Sequence, residues 1–517
     1  MGKKIAIVGA GAAGMSAAHA LSATEDSEFD VTVFERTNCC GGMATSEKID
    51  SQKFGADFMN DGVQGASPQF ANTYALFDLL GFKASKVDLQ VSFGRDVDED
   101  FWSNVFPSNV IDKYAADIKK FGWVLKVIKR AEPLFGLIPV DVMLSMFRFS
   151  PGFGDVIVYP LVALFMGTGQ QTPYVSSVIL ERLFLDPSMK LLDQFDYSPD
   201  SFLASIPPMC AFPQLSEVYS AWKARLEASG VEFSLETQVL SIERSKAGVK
   251  VTAQKVKNSN TLHEGEILGD ILETHFDEII FACDADSALK ILGSGATFLE
   301  RKALGNVKYL YDVSVTHSDE EYMEKYYRLK FQDDLFSAKR KDDPKAQESK
   351  DFAMNNFKPL YFIRSYPSDK RKIEMSFDLT NYQPQFDASS DKPHVYQTIF
   401  LDKDDSSHLW TESEIRPESI ILKKWWKQQS HRWQHYGGTV PWKMMWINGQ
   451  NHTHYCGAWT ILNMHEIAIA SGFAVAYQLG AKYPFKENDE ARRMFALVLG
   501  VSHGARMRGE DRKGFFT

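Results

Sequence analysis

The chain opens on an unbroken apolar run, Ile5 to Val8, that ends in glycine. A short apolar run bounded by turn residues reads as a buried strand, and the alanine-rich stretch from Met15 to Ala23 reads as a helix packed on it. A second strand is predicted over Val31 to Glu35. Residues 231–253 alternate apolar and polar as a pair of strands, and Ile279 to Cys283 make a further buried strand leading into a helix. The charge-rich interval Gln254 to Asp270 between them is expected to be a solvent-facing loop. Near the C-terminus, Tyr455 to Trp459 give a strand and a small-residue turn before an apolar helix that starts at His465.

Strands alternating with helices in this way predict an α/β fold with a Rossmann-type nucleotide-binding domain assembled from discontinuous segments, joined to an α+β substrate-binding domain of mixed sheet and helices. The expected division is 1–95 with 205–294 and 431–490 for the first domain, 96–204 with 295–430 for the second, and 491–517 as a C-terminal tail. Within the second domain, Leu134 to Val140 and Val156 to Met166 are strongly apolar. Neither reaches the ~20 residues a bilayer requires, so no transmembrane span is expected. Two readings remain for these helices: they line an apolar tunnel or rest on a membrane surface to collect a lipophilic molecule, or they form a helical core.

Composition narrows the classes further. At 517 residues with 44% hydrophobic positions the chain has room for several cores, and disordered or disulfide-scaffold classes are excluded. Fifty-seven Lys and Arg against 67 Asp and Glu leave a net charge of −10 with no basic block, which disfavours nucleic acid as a partner. Five scattered cysteines form no metal-ligand spacing and read as reduced thiols. With no cleavable leader ahead of Ile5, the expected location is cytoplasmic, with contact to a membrane surface as a variant of it.

The sharpest chemistry lies at Gly9, Ala10, Gly11, Ala12, Ala13 and Gly14. This GxGxxG follows a strand and opens a helix: Gly9 permits the tight turn, Gly11 lets a pyrophosphate approach the backbone, Gly14 lets helix pack on strand, and the helix start offers amides to phosphate. Glu35, about 20 residues beyond at the end of the second strand, is placed to accept ribose hydroxyls.

Past Glu35 and Arg36 comes Gly41-Gly42-Met43, and a second glycine pair at this place resembles the glutathione-reductase type of flavoprotein. With it goes the segment CGAW-x5-HE-x4-SG-x-AVA from Cys456 to Ala476. On these motifs the chain resembles flavin-containing amine oxidase-like and phytoene desaturase-like oxidoreductases, in a branch associated with fatty-acid modification. Met464 and Ile467 depart from the branch pattern around His465-Glu466. The resemblance implies FAD as cofactor, held by Gly9, Ala10, Gly11, Ala13, Gly14, Glu35, Arg36, Gly41, Gly42 and Met43, with Val239 presenting backbone to the adenine. Gly457, Ala458, Trp459, His465 and Glu466 would then surround the flavin end. His465 and Glu466 are the catalytic candidates, an imidazole and a carboxylate able to relay a proton or bond the ring. The alternative is a helix cap in which Glu466 satisfies backbone amides. Cys456 reads as buried structure rather than a covalent flavin link. No metal site is expected.

The reading that follows is an FAD-dependent oxidoreductase transferring hydride from a C–H bond of an unsaturated fatty-acyl or terpenoid-like substrate to flavin N5. Three others stay open: an FAD-dependent double-bond isomerase of polyunsaturated fatty acids, an amine oxidase, and a non-catalytic flavin or lipid carrier. The amine oxidase version wants an aromatic cage and a lysine-held water, and the sequence assigns neither.

Overall fold

Burial from Ile5 onward fixes strand β1 (Lys3–Val8) inside the computed structural model, which describes residues 2–23, 28–166, 169–185, 206, 208–260, 265–388 and 391–512. Helix α1 (Ala12–Ser22) follows, buried from Ala12 to Leu21. Strand β2 (Phe29–Phe34) returns beside β1 in parallel, with Ile5 opposite Val31 and Val8 opposite Phe34. On the other side of β1 lies Glu278–Phe281, also parallel, with Thr453–Tyr455 beyond it, and Glu232–Ser234 lies beyond β2. The chain leaves β1 toward one side and later returns to the other. The carboxyl end of β1 is therefore a switch point, the place where such sheets bind ligands.

Helix His465–Gln478 is buried at every position from His465 to Tyr477. It crosses α1 in backbone contact, since a Cβ on Gly472 would stand 2.0 Å from the carbonyl oxygen of Ala13. Only glycine opposite an alanine-rich helix permits that approach.

Two expectations are corrected. The interval 254–270 is mostly strand: Gly248–Lys257 and Glu266–Phe276 pair antiparallel and extend Thr237–Ser245 into a three-stranded meander. Its polar character reflects exposure of residues 266–275 and not loop conformation; residues 261–264 lie outside the described residues. The expected tail contains most of helix Asp489–His503, which buries Met494, Phe495, Val498 and Leu499. Those four positions recur at helical spacing, and they pack the helix on Ala71–Leu80 and His465–Gln478. Residues 513–517 lie outside the described residues, as does the stretch 186–205 of the expected substrate block.

The substrate side is built on a six-stranded sheet in the order Ile420–Gln429, Tyr309–His317, Tyr396–Phe400, Asp369–Asp378, Tyr361–Tyr366, Val91–Phe93. It is antiparallel except where Val91–Phe93 joins its neighbour in parallel. Helices Ala115–Arg130, Val140–Met146, Tyr159–Met166 and Val178–Leu185 form a layer beside it. The apolar run ending at Met166 is a buried helix here. Among the described residues no helix is long and apolar enough to cross a membrane.

Candidate functional site

A cavity of about 1010 Å³ begins at the switch point and runs to the six-stranded sheet. At its nucleotide end the glycines divide the work. Gly9 has φ +107°, and a Cβ there would stand 2.9 Å from the carbonyl oxygen of Ala282; one on Gly14 would stand 1.9 Å from that of Gly9. Gly11 differs: its φ is −74°, and the nearest atom to an added Cβ is the Gly42 Cα at 4.0 Å. A side chain at Gly11 would project into the cavity, which is the cradle a pyrophosphate needs. The Gly41 N–H donates to Ala10 O at 2.9 Å, pinning the second glycine pair against the first.

Glu35 accepts the Ala10 N–H on one oxygen at 2.8 Å and the N–H and hydroxyl of Thr37 on the other, both at 3.0 Å. The carboxylate is thus oriented toward the cavity edge, where a ribose would meet it. Arg36, Met43 and Val239 also line this end, Val239 beside a strand irregularity. Ala10 and Gly14 sit behind the lining.

Gly457, Ala458, Trp459 and His465 line the cavity farther in. Gly457, at φ +139°, donates its N–H to Ser471 Oγ at 2.9 Å, and the Trp459 indole N–H donates to Cys283 O at 3.0 Å. Both contacts fix the turn from below. Trp459 and Trp426 are the two tryptophans that reach the cavity, whereas Trp442 and Trp446 are exposed.

His465 and Glu466 part company. Glu466 does not line the cavity. Its carboxylate accepts the N–H and side-chain amide of Asn72 and the N–H and hydroxyl of Thr73, at 2.7–3.0 Å. It caps helix Ala71–Leu80, which has no capping side chain of its own. Burial raises its pKa while these four donors hold it down. Because the Thr73 hydroxyl proton goes to Glu466, His465 Nδ1–H donates to Thr73 Oγ at 3.1 Å, and His465 Nε2 accepts from Tyr219 O–H at 2.8 Å. Burial lowers the imidazole to a pKa of about 4, so the ring is neutral with both nitrogens engaged by protein.

Three features escape sequence reasoning. Strand alternation turns every second side chain of the sheet toward the cavity, giving Met375 and Phe377, Ile399 and Leu401, and Tyr361, a strongly apolar wall joined by Leu164 and Met166 from the helical layer. Within it stands one buried acid, Asp312, directly across from Trp426. Asp312 accepts the Asp402 N–H at 2.7 Å, and burial pushes its carboxyl up to about 7. A lone aspartate inside the β-forming run Tyr309–His317 was the available signal. Lys424, also on the wall, donates to Asp61 at 2.8 Å and Glu47 at 2.9 Å.

Two buried carboxamide oxygens on the lining, Gln64 Oε1 and Gln429 Oε1, have no hydrogen-bond partner among the described residues. Unpaired buried acceptors carry a cost that a ring N–H would remove. With the open cradle at Gly11 and the oriented Glu35, they fit an extended dinucleotide with a polar ring system.

Residues 7–78 match the family model of an NAD(P)-binding Rossmann-like domain. Comparison with curated proteins by sequence gives no match. Among solved structures, the fold is shared with a CLA-producing fatty acid isomerase from P. acnes, at TM-score 0.59 and 14% identity over 92% of this chain and 98% of that one. It is also shared with a putrescine oxidase (TM-score 0.56, 12% identity, 93% and 99% covered) and with cyclohexylamine oxidase from Brevibacterium oxydans (TM-score 0.57, 12% identity, 93% and 100% covered). At these identities the likeness is one of fold, and it extends over both the nucleotide sheet and the six-stranded sheet.

Proposed function

We propose that the protein is an FAD-dependent oxidoreductase that takes a hydride from a C–H bond of a lipophilic substrate, an unsaturated fatty-acyl or terpenoid-like molecule. The observation that carries this reading is the single cavity joining the glycine cradle and Glu35 to an apolar sheet wall. Bound FAD supplies a hydride acceptor at flavin N5. The chain's own work is binding and exclusion. Gly9, Gly11 and Ala13 border the pyrophosphate at the start of α1, with Ala10 and Gly14 shaping the turn from behind, Glu35 takes the ribose, and Arg36, Gly41, Gly42 and Met43 border the extended cofactor. Val239 serves the adenine end, and Gly457, Ala458, Trp459 and His465 border the ring. Gln64 and Gln429 offer it acceptors. Met375, Ile399, Leu401, Leu164 and Met166 keep water from the reacting carbon and align it. Glu466 positions His465 and helix Ala71–Leu80 from outside the cavity.

A second reading, a double-bond isomerase in which the hydride returns to another carbon of the same molecule, is favoured by the committed state of His465. A reaction without net proton transfer asks for no free base beside the ring, and the fatty acid isomerase named above shares the fold. Anaerobic mixing of the FAD-loaded protein with linoleic acid distinguishes the two. Lasting bleaching of the flavin band indicates oxidation, a shifted double bond without bleaching indicates isomerisation, and neither outcome with any unsaturated lipid would leave only a carrier.

A further inference from the structure

Helix Ala115–Arg130 sends Ile118, Phe121, Val124, Leu125 and Ile128 into the core. On its outer side Lys119, Trp123, Lys126 and Arg130 are exposed, at spacings of four, three and four residues. That is one stripe of a helix, with an aromatic ring 57% exposed at its centre and cations on the turns before and after it. The apolar surface continues off the helix. Trp123 meets the edge of Phe147 at 5.8 Å, and Phe147 stacks on Phe135 at 6.1 Å. Around this aromatic seam Leu134, Leu137 and Met146 are each more than half exposed, at 51–58%.

Charge marks the same region. Residues 113–148 carry seven Lys and Arg against three Asp and Glu, in a chain whose net charge is −10. Asp117 pairs with Lys120 at 3.0 Å, Glu132 with Arg182 at 2.5 Å and Lys129 with Glu181 at 3.4 Å, which sets Lys113, Lys119, Lys126, Arg130 and Arg148 against Asp141 alone within the stretch. The local field is positive on an otherwise acidic protein.

We propose that this face docks on an anionic lipid bilayer. A tryptophan between lysines and arginines, with aliphatic side chains beside it, matches the layered chemistry of a membrane interface: rings and aliphatic tips enter below the headgroups, and cations stay level with the phosphates. The face also adjoins the wall of the cavity. Leu144, from the same helix as Met146, packs on Gly154, and the following helix Tyr159–Met166 delivers Leu164 and Met166 to the cavity lining. A protein seated this way sets its apolar chamber one helix layer from the lipid.

The test is flotation of the full-length protein with vesicles, which uses no turnover and so stands or falls apart from the proposed reaction. The protein is expected to float with phosphatidylcholine vesicles containing phosphatidylglycerol at about 0.1 M salt, to stay down with pure phosphatidylcholine, and to be released near 1 M salt, where screening shortens to about 3 Å. Trp123→Gln, and separately Lys126→Glu with Arg130→Glu, should each lower the bound fraction at limiting lipid by roughly tenfold or more while leaving the melting curve unchanged. Failure to float with the anionic vesicles, or wild-type flotation by both variants, overturns the assignment. So does a dimer in solution that Trp123→Gln dissolves without any vesicle binding, which would give the face to a second copy of the chain.

Discussion

Glu466 accepts both the backbone N–H and the hydroxyl of Thr73, at 2.8 and 3.0 Å. Through this pair the start of helix His465–Gln478 holds the start of helix Ala71–Leu80. Replacing Glu466 by Ala strands the buried Asn72 and Thr73 amides and is expected to cost about 3–5 kcal/mol of stability. Urea unfolding measures it. The flavin spectrum of the fraction that remains folded should match wild type, and a changed spectrum would put the carboxylate at the ring after all.

His465 is neutral across the physiological range because its pKa lies at about 4. His465→Gln is therefore expected to leave the shape of the pH–rate profile between pH 5.5 and 8 unaltered, even where it lowers the rate. Disappearance of an inflection in that window would show that the imidazole titrates during turnover.

Gly11 and Gly14 should fail in different ways. Gly11 has an ordinary φ and open space before it, so Gly11→Val should fold, with a wild-type circular dichroism spectrum, and hold no FAD. Gly14→Ala drives a methyl into the Gly9 carbonyl and should reduce soluble yield and melting temperature. Stoichiometric flavin in purified Gly11→Val would remove the pyrophosphate from this loop.

Loss of the Glu35 carboxylate removes the group proposed to take the ribose, and with it the acceptor of the Ala10 N–H and of the Thr37 N–H and hydroxyl that orients the loop. Glu35→Ala is expected to weaken FAD by about 1–3 kcal/mol, or roughly 5- to 150-fold in Kd, read by equilibrium dialysis.

Asp312 carries a pH signature. Its folded pKa of about 7 lies above the ordinary 3.8, so between those values the folded state binds the proton that the unfolded state has released, and stability falls as pH rises through this window. Asp312→Asn keeps an acceptor for the Asp402 N–H and removes the titration. The variant should gain on wild type from pH 4 to pH 8, by roughly 2–4 kcal/mol at the upper end. Parallel stability curves for the two proteins would mean that the carboxyl is not held neutral.

Gly9 through Glu35 are readable in the sequence because the whole requirement, strand, turn, helix and acid, lies inside one βαβ unit. The Glu466 carboxylate reads equally well as a reactive group and as a helix cap until Asn72 is set against it, and only tertiary packing does that. The apolar wall is hidden for a similar reason. Alternation marks Ile399 and Leu401 as sharing a face, but which face meets the cavity depends on strands recruited from residues 91 to 429. Asp312 has no motif at all, and its character comes from the neighbours that desolvate it. Helix Asp489–His503 had a visible apolar period that its terminal position disguised.

The central sheet has a consequence for biosynthesis. A ribosome releases the glycine loop long before Thr453–Tyr455 and the helix carrying Gly472 have been translated. Until then the alanine-rich side of α1 has nothing to bury it, and a nascent chain must keep that surface from aggregating. A message truncated ahead of Thr453 would yield a polypeptide that bears the complete glycine loop and Glu35 but lacks the strand and helix that close over them.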